Sequence, residues 1–350
     1  MSEKDINIAG RLIGSGHPPF IIAEMSGNHN QSYEKAVEIV HAAKEAGADA
    51  IKLQTYTPDT ITIDTDNQYF RIKEGNTWAG QTLYELYQKA YTPWEWQPRL
   101  KEEADKIGLT LFATPFDTTA VDFLATMDVP AYKIASFELI DIPLVEYIAK
   151  QGKPIIMSTG MGTLAEIDEA VKAIRQTGNE QIILLKCVSV YPADPEDMNL
   201  RTIPNLFETF GVPSGLSDHT LGHDVDIAAV ALGACVIEKH LTLSRGEGGP
   251  DAAFSMEPQE FKAMVQAIRM TEKALGRVHY EPTARELENR NFRRSLFVVK
   301  NVKAGEPLAP DNVRSIRPGN GLHPRYLVEV MGRVFTKDVR KGTPLRWELI

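Results

Sequence analysis

Two histidines, two lysines and a glutamate stand where apolar runs of the chain stop or are interrupted. Leu216-Ser217-Asp218-His219-Thr220 and Val236-Ile237-Glu238-Lys239-His240 both begin apolar and carry a histidine at the tip. Two imidazoles offered from neighbouring strand ends could share one divalent cation, although two ligands are fewer than most metal sites use. Lys52 and Lys133 interrupt Ala-Ile-Lys-Leu and Tyr-Lys-Ile-Ala. An ammonium group in an apolar strand is costly to bury without an anion. The pair therefore points to a bound phosphate and carboxylate, with the hydroxyls of Ser136, Ser158 and Ser217 as further donors. Two other readings stay open: structural pairing with Glu24 or Glu138, and a Schiff-base amine at Lys133, Lys186 or Lys239.

These residues need a frame that brings them together. Eight apolar runs supply one: Phe20–Glu24, Ala50–Gln54, Leu109–Thr114, Ala131–Ser136, Pro154–Thr159, Gln181–Cys187, Ser214–His219 and Ala234–His240. Helical patterns alternate with them, from Ser32–Ala46 to Pro258–Leu275. Ser32 and Thr163 read as N-caps, and Gly47 and Gly178 as stops. Strand–helix alternation implies right-handed crossovers and a parallel sheet. Eight units predict an α/β fold, a TIM (β/α)8 barrel, with a doubly wound open sheet as the alternative. Polar residues sit at nearly every strand's C-terminal tip, including Glu24, Gln54, Thr114, Ser189 and Tyr191, which predicts one active site at that mouth. Residues 55–88 break the rhythm and read as a lid or substrate-binding insertion.

The 350 residues suffice for a barrel of about 250 residues and a small module. The predicted domains are residues 1–280, a linker over 281–293, and a β-rich module over 294–350. That module carries runs at Leu296–Val299 and Val334–Val339 and two similar glycine turns around Gly305 and Gly342. A formal net charge of -9 argues against general nucleic-acid or anionic-membrane binding. Cys187 and Cys235 lie in apolar segments and read as buried free thiols. No signal-peptide core and no membrane-length apolar run is visible, so the expected location is cytoplasmic.

Several stretches resemble the sialic acid synthase family: Ile22-Ala23-Glu24-Met25-Ser26-Gly27-Asn28-His29-Asn30, Lys52-Leu53-Gln54, Ala113-Thr114-Pro115-Phe116-Asp117, Tyr132-Lys133-Ile134-Ala135-Ser136, Leu216 to Thr220, and Glu238-Lys239-His240 with Gly249-Pro250-Asp251. Arg293-Arg294-Ser295 and Arg317-Pro318-Gly319-Asn320-Gly321 resemble that family's antifreeze-like (SAF) domain. The resemblance covers almost the whole chain. It implies condensation of phosphoenolpyruvate with an amino-sugar aldehyde, releasing phosphate by C–O cleavage. It puts a divalent metal (Mn2+, Mg2+ or Co2+) on His219 and His240. It puts phosphoenolpyruvate on Lys52, Thr114, Lys133, Ser136, Ser158 and Ser217, and gives Glu24 an acid/base role. Gln54, Ser189, Tyr191, Asp251 and Arg317 become sugar-site candidates, Arg317 as an arginine lent to a partner in a domain-swapped homodimer.

Met25-Ser26-Gly27 and Ser189 depart from the sialate branch and resemble the pseudaminic acid synthase branch. The implied sugar is then a 2,4-diacetamido-2,4,6-trideoxy hexose, with N-acetylneuraminic or legionaminic acid synthesis as the alternative. A sugar- or ice-binding protein without turnover is a further alternative, against which the Glu24, Lys52, Lys133, His219 and His240 set argues. His29 lies near the site and stays ambiguous from sequence.

Overall fold

The computed structural model describes residues 5–74 and 78–350. Residues 1–4 of the N-terminus and residues 75–77 of the insertion lie outside the described residues. By internal contacts the chain divides into two compact units, residues 1–276 and 277–350.

The first unit opens with a hairpin, β1 (Ile6–Ile8) and β2 (Arg11–Ile13), which the sequence reading missed. Its buried isoleucines join the barrel core beside Phe20. Eight parallel strands follow: β3 (Phe20–Glu24), β4 (Ala50–Thr55), β5 (Thr110–Pro115), β6 (Tyr132–Ile134), β7 (Ile155–Ser158), β8 (Ile182–Cys187), β9 (Ser214–Asp218) and β10 (Val236–His240). Each pairs with the next, and β10 pairs back onto β3 from Val236–Phe20 to His240–Glu24. That last ladder closes the barrel and excludes the open sheet.

The strands are buried along nearly their whole length because helices cover the outer face. These are α1 (Tyr33–Ala46), then α2 (Pro58–Ile61), α3 (Leu83–Ala90) and α4 (Gln97–Lys106) between β4 and β5. After β5 to β10 come α5 (Thr118–Thr126), α6 (Ile142–Ala149), α7 (Leu164–Gln176), α8 (Thr202–Phe210), α9 (Asp224–Ala231) and α10 (Pro258–Leu275). α7 shows why. Ile167, Ala170, Val171 and Ile174 make one apolar stripe at three- and four-residue spacing. Thr163 and Glu166 close a capping box at its start. Ser32 caps α1 through the Lys35 amide, and Gly47 ends it at φ 91°. No helix among the described residues is long and apolar enough to cross a membrane.

In the second unit β11 (Ser295–Val298) pairs antiparallel with β12 (Val313–Ile316). The expected run Val334–Val339 is not a strand. It makes only single bridges, Val334 to Pro307 and Val339 to Val302. Proline lacks the N–H that a continuing ladder needs. Within the expected linker, Thr283 caps a short helix, α11 (Ala284–Asn289). That helix groups by internal contacts with the small unit, which spans residues 277–350. α12 (Leu327–Val330) packs Val330 into a core with Leu296, Val298, Val313, Phe335 and Leu345.

Candidate active site

Strand register decides which tips meet. Glu24 of β3 stands opposite Lys52 of β4 on one side and His240 of β10 on the other. Side chains alternate along a strand, so Glu238 and His240 share one face and Lys239 takes the other. Lys239 accordingly turns away. It ion-pairs with Asp218, lies 3.3 Å from Asp226, and donates to the Thr220 and Gly222 carbonyls at 2.8 and 2.9 Å. Those partners leave no amine for a carbonyl substrate, which removes Lys239 from the Schiff-base candidates.

The inward face opens on a cavity of about 360 Å³ at the C-terminal ends of the strands. Lys52, Lys133, Ser136, Ser158, Ser217 and Glu238 line it, as do Gln54, Tyr191, His219, His240 and Asp251. Lys52 Nζ lies 2.8 Å from Glu24 and 3.2 Å from Glu238, with Thr114 Oγ1 at 3.4 Å. Lys133 Nζ donates to Ser158 Oγ at 2.7 Å and to the Ile134 carbonyl at 2.9 Å. Glu238 is 4.0 Å from Lys133 and accepts from Ser217 Oγ at 3.1 Å. The structural pairing envisaged for Lys52 is thus present with Glu24, whereas the ion-pair partner of Lys133 is Glu238, with Glu138 acting on it only at longer range.

Burial sets the charge states. It lowers the Lys133 pKa to about 8, because Glu238 compensates only in part. Burial also acts on Lys52, but Glu238 and Glu24 outweigh it and hold that ammonium above its ordinary value. Burial opposes ionisation of Glu238, yet Lys133 and Lys52 keep it below the usual range. Glu24 goes the other way, pushed up by burial more than Lys52 restores. The ammonium groups therefore face an ionised Glu238, while Glu24 is the carboxyl disposed to hold a proton.

Across the cavity the His219 and His240 rings lie 5.3 Å apart, centroid to centroid. His219 Nδ1 is 2.9 Å from the Val188 carbonyl, so that nitrogen donates. Burial opposes charge on the ring, but Cys187 and that carbonyl outweigh it and hold its pKa above the ordinary value. Burial and the neighbouring His219 push the His240 pKa well below the ordinary value. Its buried Nδ1 has no hydrogen-bond partner. A neutral His240 with an orphaned buried nitrogen, 5.3 Å from a second imidazole, suits a cation that displaces the proton of His219. Among the described residues no three His, Cys, Asp or Glu groups converge as a metal cage. Water and substrate would have to complete the shell.

A hydrogen-bonded chain joins the first loop to this side. Gln54 donates to Glu24 Oε1 at 3.0 Å and to Ser26 Oγ at 3.2 Å, and Ser26 Oγ donates to Asp251. Ser26, Asn30 and Gln31 all hold positive φ, 49°, 50° and 56°. Such strain in non-glycine residues persists only where the surroundings enforce it. His29 serves this loop. Its Nε2 is 3.1 Å from Thr92 Oγ1, its Nδ1 accepts from the Gln31 amide, and burial drops its pKa to about 4. With both nitrogens engaged, it is a loop support and no ligand.

Ser189 is half-buried beside the cavity-lining Cys187, its Oγ 3.8 Å from Cys187 Sγ. Arg317 is exposed in the small unit, just after β12. Sequence reasoning gave no role to Glu238, although its place two residues before His240 puts it on the same face. Glu138, read from sequence only as a structural partner for a lysine, is a further residue of this kind. It lines the cavity with Oε2 unpartnered, and burial raises its pKa to about 7.

A closed (β/α)8 barrel with an ammonium pair and an imidazole pair lining one cavity, followed in the chain by a small β-containing unit, defines a two-unit barrel protein with ionisable groups gathered at one mouth. Residues 39–280 match the NeuB family and residues 293–350 match the SAF domain. The chain belongs to the NeuB family, as its motifs implied. It is 46% identical to a pseudaminic acid synthase of Helicobacter pylori, across 94% of this chain and 96% of that one. It is 37% identical to an N,N'-diacetyllegionaminic acid synthase of Legionella pneumophila, across 96% of each. The crystal structure of an N-acetylneuraminic acid synthetase from Leptospira borgpetersenii superposes with a TM-score of 0.73 at 33% identity, covering 82% of this chain and 95% of that one.

Proposed function

We propose that the protein is a pseudaminic acid synthase, condensing phosphoenolpyruvate with 2,4-diacetamido-2,4,6-trideoxy-L-altrose to give pseudaminic acid and phosphate in the cytoplasm. One observation carries this reading: Lys52 and Lys133 open onto the same cavity as His219 and His240, in a chain 46% identical to pseudaminic acid synthases. The lysines and the hydroxyls of Thr114, Ser136, Ser158 and Ser217 hold the phosphate and carboxylate of phosphoenolpyruvate. His219 and His240 hold a divalent cation, Mn2+, Mg2+ or Co2+, which when bound supplies Lewis-acid polarisation of the sugar aldehyde. The methylene carbon of phosphoenolpyruvate bonds to the aldehyde carbon. Water adds at the enol carbon, and the tetrahedral intermediate expels phosphate together with its bridging oxygen. Glu24, whose carboxyl burial pushes up, takes a proton from that water or gives one to the new alkoxide. Gln54, Ser189, Tyr191 and Asp251 surround the sugar.

A synthase acting on the N-acetylneuraminic or legionaminic acid precursor shares this chemistry. Assay of the three candidate sugars with phosphoenolpyruvate separates the readings. The highest kcat/KM is expected for the diacetamido-trideoxy altrose; preference for either other sugar contradicts the assignment.

The active unit in this reading is a homodimer in which Arg317 of each small unit serves the partner's barrel. Exposed Phe137, Ile140, Met161, Leu164, Val190 and Leu221 around the strand-end loops give such a partner an apolar rim to cover. Arg317→Ala is expected to lower sugar affinity, and mixing it with a Lys133→Met subunit to restore part of the turnover. Mixed dimers without recovery count against the exchange.

A further inference from the structure

Beyond Tyr191 the cavity changes character. Its lining there includes Ile61 at the end of α2, Trp78, and Leu86 and Ala90 of α3, together with the Tyr56 and Tyr87 rings. All six come from the insertion after β4, which reads in sequence as a polar interruption. The Trp78 indole N–H donates to the Pro250 carbonyl at 2.6 Å, and its ring lies 5.5 Å from Tyr191. Tyr191 in turn lies 4.4 Å from His219. The wall is therefore two aromatic steps from the imidazole pair.

Gly27 allows this approach. A Cβ there would lie 2.9 Å from Ala90 Cα and 3.0 Å from the Ala90 carbonyl oxygen, so the end of α3 docks only against a bare backbone. Gly27 belongs to the Met25-Ser26-Gly27 segment that departs from the sialate pattern. The first loop and the insertion thus act as one fitted piece.

A six-carbon sugar with its aldehyde at the imidazole pair runs past Tyr191 and presents its far end to this wall. A 6-deoxy sugar ends there in a methyl group, which gains from leaving water. A 6-hydroxylated sugar brings a hydroxyl that meets two alkyl side chains, an alanine and an indole whose N–H is already taken, with the Tyr56 and Tyr87 rings, packed edge to face at 5.5 Å, as the aromatic neighbours. An unmatched hydroxyl carries its desolvation cost uncompensated.

We infer that the apolar wall formed by Ile61, Trp78, Leu86 and Ala90 is the specificity element that selects a 6-deoxy over a 6-hydroxylated amino sugar. The inference rests on the reading of the chain as a synthase of diacetamido-sugar acids. Apolar pockets discriminate modestly, so the wild-type preference in kcat/KM is expected to be about 10- to 100-fold.

The test measures kcat/KM with phosphoenolpyruvate for 2,4-diacetamido-2,4,6-trideoxy-L-altrose and for its 6-hydroxy analogue. Ile61→Ser and Leu86→Gln should each cut the preference by about fivefold or more, with the KM for phosphoenolpyruvate unchanged. Ile61→Val should retain it. A wild type active on the deoxy sugar whose preference neither polar variant moves overturns the wall. A wild type inactive on both sugars overturns the synthase reading itself.

Discussion

Lys133→Met is expected to leave a folded barrel whose kcat/KM for phosphoenolpyruvate is lower by about 10³ or more. Lys133 is fully buried, and its Nζ is held by Ser158 Oγ and the Ile134 carbonyl. It has no flexibility with which to serve elsewhere. Methionine fills nearly the same volume without the charge. Glu238 keeps Lys52 at 3.2 Å, so the substitution does not strand a buried carboxylate. The loss therefore falls on the incoming anion. The wild type carries a matching pH signature. With the Lys133 pKa near 8 in the free site, the amine is charged below that pH and neutral above it. Anion capture is fully present below about pH 8, and kcat/KM should decline as pH rises through that value. A variant whose kcat/KM changes less than about tenfold would remove Lys133 from the pocket.

His240→Gln should separate the two halves of the site. The ring is 5.3 Å from His219 and 5.0 Å from Phe254, and its Nδ1 is buried without a partner. Glutamine preserves bulk and polarity but not the imidazole. Manganese affinity, measured by calorimetry, is expected to fall by about 100-fold or more, since only two protein ligands are proposed. Turnover with sugar should disappear, while phosphoenolpyruvate binding stays near the wild-type value because the lysines are untouched. Manganese affinity should also weaken as pH falls, since protons compete for the same nitrogens. Unaltered turnover in His240→Gln would refute the ligand assignment.

Much of the site was legible because a barrel strand writes its role in its pattern. An apolar run that ends in Glu24, Gln54 or His240 has its interior buried and its tip at the mouth. What escaped depends on contacts between distant segments. Lys239 looked as available as Lys133 until alternation placed it outward against Asp218 and Asp226. Glu238 looked like one more strand-tip residue, and only closure of the barrel brings it between Lys52 of β4 and Lys133 of β6. The apolar wall was hidden for a different reason. Ile61, Trp78, Leu86 and Ala90 are spread through a segment with no regular period, and folding alone gathers them. In the small unit, Val334–Val339 has strand composition but lies against Pro307, and the ladder forms at Val313–Ile316 instead.

The central claim is that the lysine pocket and the imidazole pair act on one molecule of phosphoenolpyruvate and one sugar by C–O cleavage. Phosphoenolpyruvate labelled with 18O at the bridging oxygen tests it in a single turnover with the diacetamido-trideoxy sugar. Labelled inorganic phosphate released together with a nonulosonic acid is the expected result. Unlabelled phosphate, or a protein adduct trapped by borohydride at Lys133 or Lys186, would contradict it.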